Sequence, residues 1–171
     1  MIGLLKKFRR KFLQSRTSTN FYIFSKKLVP LKEGLAIGVA KNSSDFQETL
    51  KRHNLQLHST FDVRFNKRRD WFVYLTDSKE ILCHGWVLNS DRFYHFEIDK
   101  TSCHKDNRLI YDFVTPEKHR KKGYYSMLIS NLPEFLEEER LCVAAVTSNV
   151  ASNKGIEKAG YVPFEIEYCE D

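Results

Sequence analysis

A chain of 171 residues, 42% hydrophobic and 13% aromatic, is long enough and apolar enough to build one folded core. Its formal charge of +6 invites a nucleic-acid or membrane reading, but Lys6, Lys7, Arg9, Arg10, Lys11 and Arg16 supply all of it, leaving residues 18–171 formally neutral. The basicity belongs to an arm, which speaks against a nucleic-acid-binding fold.

Ile2, Leu5, Phe8 and Phe12 recur at spacings of three and four between basic residues, so the arm reads as a short basic amphipathic helix. Such a helix over residues 1–16 suits an anionic membrane surface or an acidic partner, and equally suits packing on the domain or on a second subunit. Residues 1–20 are therefore read as helix and linker, and residues 21–171 as one domain.

Strands are predicted at 21–24 and 35–40, separated by a loop with Pro30 and Gly34. The polar cluster 42–45 caps a first helix carrying Phe46 and Leu50. Residues 61–69 fit no single period, and Arg64, Lys67, Arg68 and Arg69 read as a solvated helix end or loop. Runs at 71–75, 81–88 and 93–98, with turns at 77–79 and 89–91, predict a three-stranded antiparallel meander. Its third strand should turn Tyr94, Phe96 and Ile98 inward and His95, Glu97 and Asp99 to water.

A polar loop, 100–107, leads to a strand at 109–114. A helix then runs from Gly123 with Met127, Leu128, Leu132, Phe135 and Leu136 on it, and Pro133 is expected to kink or break that helix. An apolar strand at 141–146, a helix at 149–159 and a strand at 161–168 complete the order. The fold class is α/β with a mixed sheet, an antiparallel meander followed by a strand-helix-strand unit. Cys83, Cys103, Cys142 and Cys169 lack metal-ligand spacing and read as free thiols of a reducing cytoplasm, and no continuous apolar run predicts a signal peptide or span.

The functional reading rests on two stretches. Residues 112–125, Asp-Phe-Val-Thr-Pro-Glu-Lys-His-Arg-Lys-Lys-Gly-Tyr-Tyr, describe a strand that stops at Pro116, a basic turn and a helix start. Amides and positive charge gathered at a helix N-terminus make a phosphate-binding geometry. Residues 149–161 read as a short helix ended by glycine and followed by a strand.

The run 114–123 resembles the strand-to-helix signature of the GNAT superfamily of acyl-CoA N-acyltransferases, in which an Arg/Gln-x-x-Gly-x-Gly/Ala loop holds the pyrophosphate of coenzyme A. Asn149-Val-Ala-Ser152 with Lys158-Ala-Gly160-Tyr161 resembles that family's later Asn-x-Ala-Ser helix and Lys-x-Gly-aromatic ending. Cys83-His84-Gly85-Trp86, Ile110-Tyr-Asp112 and Gly123-Tyr-Tyr125 are most similar to a subgroup associated with bacterial cell-surface polysaccharide synthesis.

The resemblance implies a GNAT-like fold whose central strands, 109–114 and 141–146, splay to admit the acyl thioester. It implies acetyl-CoA as cosubstrate and no metal. Arg120, Lys121, Lys122, Gly123, Tyr124 and Tyr125 would hold the diphosphate, Phe113 and Val114 would offer backbone groups to the pantetheine arm and thioester carbonyl, and Asn149 and Ser152 would approach from the far side. Asn149 equally reads as a helix N-cap.

The acceptor implied is a primary amine on a small molecule, an amino-sugar nucleotide on the subgroup likeness, with no nucleic acid as partner. Transfer needs a general base. Asp112 is the first candidate, because a carboxylate in a central strand is costly unless paired or functional; the alternative is an Asp that holds a turn or an arginine. His84, placed by alternation with Leu82, Trp86 and Leu88, is the second candidate, against the reading of a satisfied core histidine.

Three departures from the family pattern stand out. Ile156 occupies the position where many members place a tyrosine acid, Tyr125 replaces a small residue, and one further C-terminal strand is missing. That gap predicts an edge left open, covered by 21–24, or paired in a homodimer. The expected location is cytoplasmic, at the inner membrane face if the arm binds lipid. A non-catalytic acyl-CoA-binding module of the same fold and a nucleic-acid-binding protein using the arm are the alternatives.

Overall fold

This computed structural model describes residues 18–55, 64–95 and 98–169, so the expected arm helix lies outside the described residues. The elements are β1 (Thr19–Phe24), β2 (Ala36–Ala40), α1 (Ser43–Arg52), a π-helical turn (Arg64–Arg68), β3 (Trp71–Thr76), β4 (Ile81–Val87), β5 (Arg92–His95), β6 (Lys100–Cys103) and β7 (Arg108–Val114). They continue with α2 (Tyr124–Leu136), β8 (Leu141–Val146), α3 (Val150–Lys158) and β9 (Tyr161–Pro163). Local chemistry sets the helix starts: Asn42 caps α1 by accepting from the Asp45 amide at 3.0 Å, and Asn149 caps α3 by accepting from the Ser152 amide at 3.1 Å.

The strands form a seven-stranded sheet in the order β2-β3-β4-β7-β8-β1-β9. Only β7 and β8 are parallel, joined through α2 as a β-α-β unit. On one face Val73, Leu75, Val87, Ile110 and Val143 pack against Met127, Leu128 and Leu132 of α2 and Ile156 of α3. On the other Phe72, Tyr74, Trp86, Leu109 and Tyr111 pack against Phe46 of α1 and Phe65 of the π-helical turn. This is the mixed α/β architecture read from the sequence, with corrections that each have a physical cause.

The third strand of the meander leaves the sheet. β4 pairs directly with β7, and β5 pairs instead with β6, part of the stretch read as a loop. Its facing is also reversed: His95 is buried and Tyr94 is 48% exposed. A histidine can face inward here because Ser102 on β6 satisfies it at 2.7 Å, while its ring packs edge-on against Phe21 and Phe93.

Pro133 does not break α2, which runs through to Leu136. A proline at 133 cannot donate to the Ile129 carbonyl, and the Tyr161 hydroxyl takes that place at 3.0 Å. Tyr161 is delivered by Gly160, whose φ of +98° and approach to the Lys26 carbonyl leave no room for a Cβ.

Two cysteines expected to be free are joined. Cys103 and Cys169 form a disulfide that ties β6 to the segment after β9, while Cys83 and Cys142 remain buried thiols. The sheet position where a gap was expected is filled within the chain, because β1 inserts between β8 and β9 and pairs antiparallel with both.

Candidate active site

Strands β7 and β8 pair over three positions, Arg108 with Leu141, Leu109 with Cys142 and Ile110 with Val143, and then part. Two features drive them apart. On one side a bulge interrupts β4–β7 pairing, with His84 opposite Val114 but Trp86 opposite Tyr111, so β7 carries an extra residue. Asp112 sits there with a left-handed φ of +57°. On the other side β8 is held along its length by β1. Backbone groups on the facing edges beyond Ile110 and Val143 therefore have no ladder partner, and a cavity of about 430 Å³ opens between the strands.

Asp112, Phe113, Tyr125, Asn149 and Ser152 line this cavity, so residues far apart in sequence meet there. A stack of rings closes its floor. The Phe113 ring lies over Gly85, within 2.7 Å of where a Cβ would stand, and packs against Tyr125 at a centroid distance of 5.6 Å. Tyr125 in turn lies over Gly155, whose added Cβ would be 2.8 Å from its ring, and its hydroxyl sits 3.5 Å from Ser152 Oγ. Burial pushes the Tyr125 phenol well above its usual range, so it stays protonated.

The basic turn stands at the C-terminal end of β7. After a short 3₁₀ turn (Glu117–His119), Lys121 and Gly123 both adopt left-handed backbone, with φ of +63° and +81°, and α2 begins at Tyr124. Gly123 as N-cap supplies no side chain, which leaves the first-turn amides of α2 without a cap, and the space before its Cα is open for 4 Å. Arg120, Lys121 and Lys122 are exposed around it, and Arg120 Nε donates to the Thr115 carbonyl at 3.2 Å. This backbone nest and its three positive charges suit a diphosphate. Val114, 46% exposed, lies between nest and cavity.

The base candidates sit differently from the sequence expectation. Asp112 is not buried: its side chain is 55% exposed and paired with Arg64. The expected solvated basic run is corrected in part, because Arg64 and Arg68 both line the cavity while Arg69 is exposed. Arg64 lies over the Trp86 and Tyr111 rings, and Arg68 bonds the Tyr111 hydroxyl at 2.7 Å and pairs with the fully buried Asp70 at 2.9 Å. Aromatic faces and carboxylates, one of them buried, attract these guanidinium groups, which a charge count of the sequence cannot reveal.

His84 shares its face with Trp86 but not with Leu82, since an extra residue in β4 near Leu82 flips the alternation. It is buried against Phe72, and burial pulls it down to about 4, with Asp112 opposing and Arg64 reinforcing the shift. Its Nδ1 has no hydrogen-bond partner. Ile156 lies fully buried in the core beneath α3.

Solved structures share this course of chain. A GNAT-family acetyltransferase from Colwellia psychrerythraea superposes with a TM-score of 0.58 at 12% identity, over 88% of this chain and 54% of that one. A functionally unknown conserved protein from Staphylococcus epidermidis gives 0.57 at 12%, over 96% and 64%. A GCN5-related N-acetyltransferase from Kribbella flavida gives 0.54 at 11%, over 88% and 56%. The chain thus spans between 54% and 64% of the lengths of these proteins. No protein-family model and no curated protein sequence matches it. The fold is that of the GNAT acetyltransferases.

Proposed function

We propose that this protein is an acetyl-CoA-dependent N-acyltransferase that moves an acyl group directly from thioester to a primary amine of a small molecule. The observation that carries the proposal is the pairing of two features in one place. The parted edges of β7 and β8 offer unpaired backbone groups to a pantetheine arm, and the uncapped start of α2 stands beside them with its basic turn. The diphosphate would bind the amides from Tyr124 to Ser126 and the charges of Arg120, Lys121 and Lys122.

The thioester would then lie beside Phe113, where a backbone amide polarises its carbonyl as negative charge develops. Asn149 and Ser152 would border the arm from the α3 side. Asp112, exposed in the cavity, attracts the incoming ammonium and takes a proton from it directly or through water. His84, neutral and buried behind the bulge, would hold the strand edge and orient this carboxylate. An amino-sugar nucleotide is the first acceptor to test.

Isothermal titration with acetyl-CoA tests the reading, and absence of binding up to millimolar concentration sinks it. One observation favours a second reading, a module that binds acyl-CoA without turnover: Ile156, in the core, offers no acid to the leaving thiolate. Binding without thiol release across a broad panel of amines would select it.

A further inference from the structure

Amide formation from an ammonium removes two protons from nitrogen. One ends on the sulfur of coenzyme A and one must leave the cavity, so the reaction needs two proton routes. Asp112 supplies one acceptor, but its oxygens are shared with Arg64.

A second acceptor lies in the same cavity. His95 lines it from β5, and its Nε2 meets Ser102 Oγ at 2.7 Å. Ser102 Oγ meets His104 Nε2 at 2.6 Å, and His104 Nδ1 meets Asn107 Oδ1 at 2.7 Å. Ser102 is fully buried and both histidines are 4% exposed. At its far end the chain reaches another cleft, lined by His104 and Asn107 together with the acids Asp91, Asp106 and Glu138 and the bases Lys105 and Arg108, the last of them paired with Glu138 at 3.4 Å.

Direction follows from the donors. The Asn107 oxygen can only accept, so His104 carries its proton on Nδ1 and presents Nε2 as an acceptor. The Ser102 hydroxyl has a longer alternative acceptor, the Phe93 carbonyl at 3.3 Å, and the 2.6 Å contact makes His104 the better one. His95 then donates from Nε2 to Ser102, which leaves Nδ1 as a lone pair. Cys142 Sγ donates to the same Asn107 oxygen at 3.0 Å and helps to fix the amide.

We propose that His95 is a catalytic proton acceptor and that Ser102 and His104 form a relay which carries the proton from the acyl-transfer cavity to the opposite cleft. The inference rests on the acyltransferase reading above. A proton from the attacking nitrogen bonds to His95 Nδ1 as the Nε2 proton passes to Ser102 Oγ. The original hydroxyl proton passes to His104 Nε2, and the imidazolium so formed gives up one proton to water in the cleft beyond. Each bond broken to hydrogen is matched by one formed, and one proton reaches solvent per amide made.

Burial holds His95 down to about 4 and lowers His104 as well, so both are neutral at rest. A low-basicity His95 alone would be a poor proton sink. A relay avoids the difficulty, because the proton does not stay on either histidine but is passed on to water in the cleft beyond His104.

The test uses the full chain with acetyl-CoA and water as the acceptor, since thioester hydrolysis also releases one net proton, and reads thiol release. Ser102→Ala should slow release on the order of 10²-fold with acetyl-CoA affinity unchanged, and Ser102→Thr should restore it. Nitrogen-15 spectra of the imidazoles should show His95 protonated on Nε2 and His104 on Nδ1. Wild-type binding with no thiol release, Ser102→Ala release within twofold of wild type, or a His95 proton on Nδ1 would each overturn the relay while leaving cofactor binding intact. Failure of the wild type to bind acetyl-CoA overturns the acyltransferase reading and the relay with it.

Discussion

Gly155 lies inside α3, where replacing glycine by alanine ordinarily stabilises a helix by about 1 kcal/mol. Here the new methyl would stand 2.8 Å from Tyr125 Cδ1 and 3.0 Å from Cε1. Carbon atoms rest at roughly 3.5–4.0 Å, so the ring must withdraw by about 0.7 Å. It cannot do so freely, because Phe113 lies behind it at 5.6 Å and is itself pressed onto Gly85. Overpacking of this kind costs about 1–3 kcal/mol, which outweighs the helical gain and gives a net loss of about 1 kcal/mol. Urea unfolding of Gly155→Ala measures it. The same change made in a Tyr125→Leu background, where the ring is gone, should regain the stabilisation of about 1 kcal/mol. If Gly155→Ala alone raises stability, the ring stack has slack and the reasoning is wrong.

Other consequences are equally open to measurement. Tyr161→Phe leaves the buried Ile129 carbonyl without a donor and should lose about 1–3 kcal/mol in urea unfolding; a loss near zero means that α2 meets its proline in another way. Arg120→Ala or Gly123→Asp should weaken acetyl-CoA binding by about tenfold or more, whereas Asp112→Asn should spare binding and slow transfer, a split that titration and thiol release read separately. Protonation of the unfolded chain at His84 begins near its ordinary value of 6.5, while the folded chain resists until about 4. Stability should therefore fall as pH drops through that window, by at most about 3 kcal/mol from His84, with His95 adding in the same direction; an unfolding midpoint that is flat between pH 7 and 5 would contradict this. Denatured, unreduced protein should show two titratable thiols, Cys83 and Cys142, and four would exclude the Cys103–Cys169 bridge.

What could be read from the sequence was what is locally encoded. Asn42 and Asn149 cap their helices through amides three residues ahead, and Gly123 starts α2 because a left-handed residue was needed there. The elements misread were those whose partner lies far away. Pro133 survives because of a hydroxyl 28 positions later, and His95 turns inward because Ser102 waits on the neighbouring strand. Arg64 looked solvated because only the fold sets it against Asp112 and two aromatic rings. The basic turn before α2 was legible for the same reason as the caps, whereas the cavity side chains Arg64, Arg68 and His95 were not. A basic run interleaved with aromatic residues was the available signal.

The placement of β1 has a consequence for the order in which the molecule is made. The bond between Ser18 and Thr147 spans 129 positions, and β1 has no neighbour until β8 and β9 exist. Hairpins such as β3–β4 close early and cheaply, while this strand waits for a slow, long-range closure. Until residues 141–163 have emerged, β8 lacks the support that holds it away from β7. The parting of β7 and β8 therefore arrives late and all at once, when β1 is captured by β8 and β9.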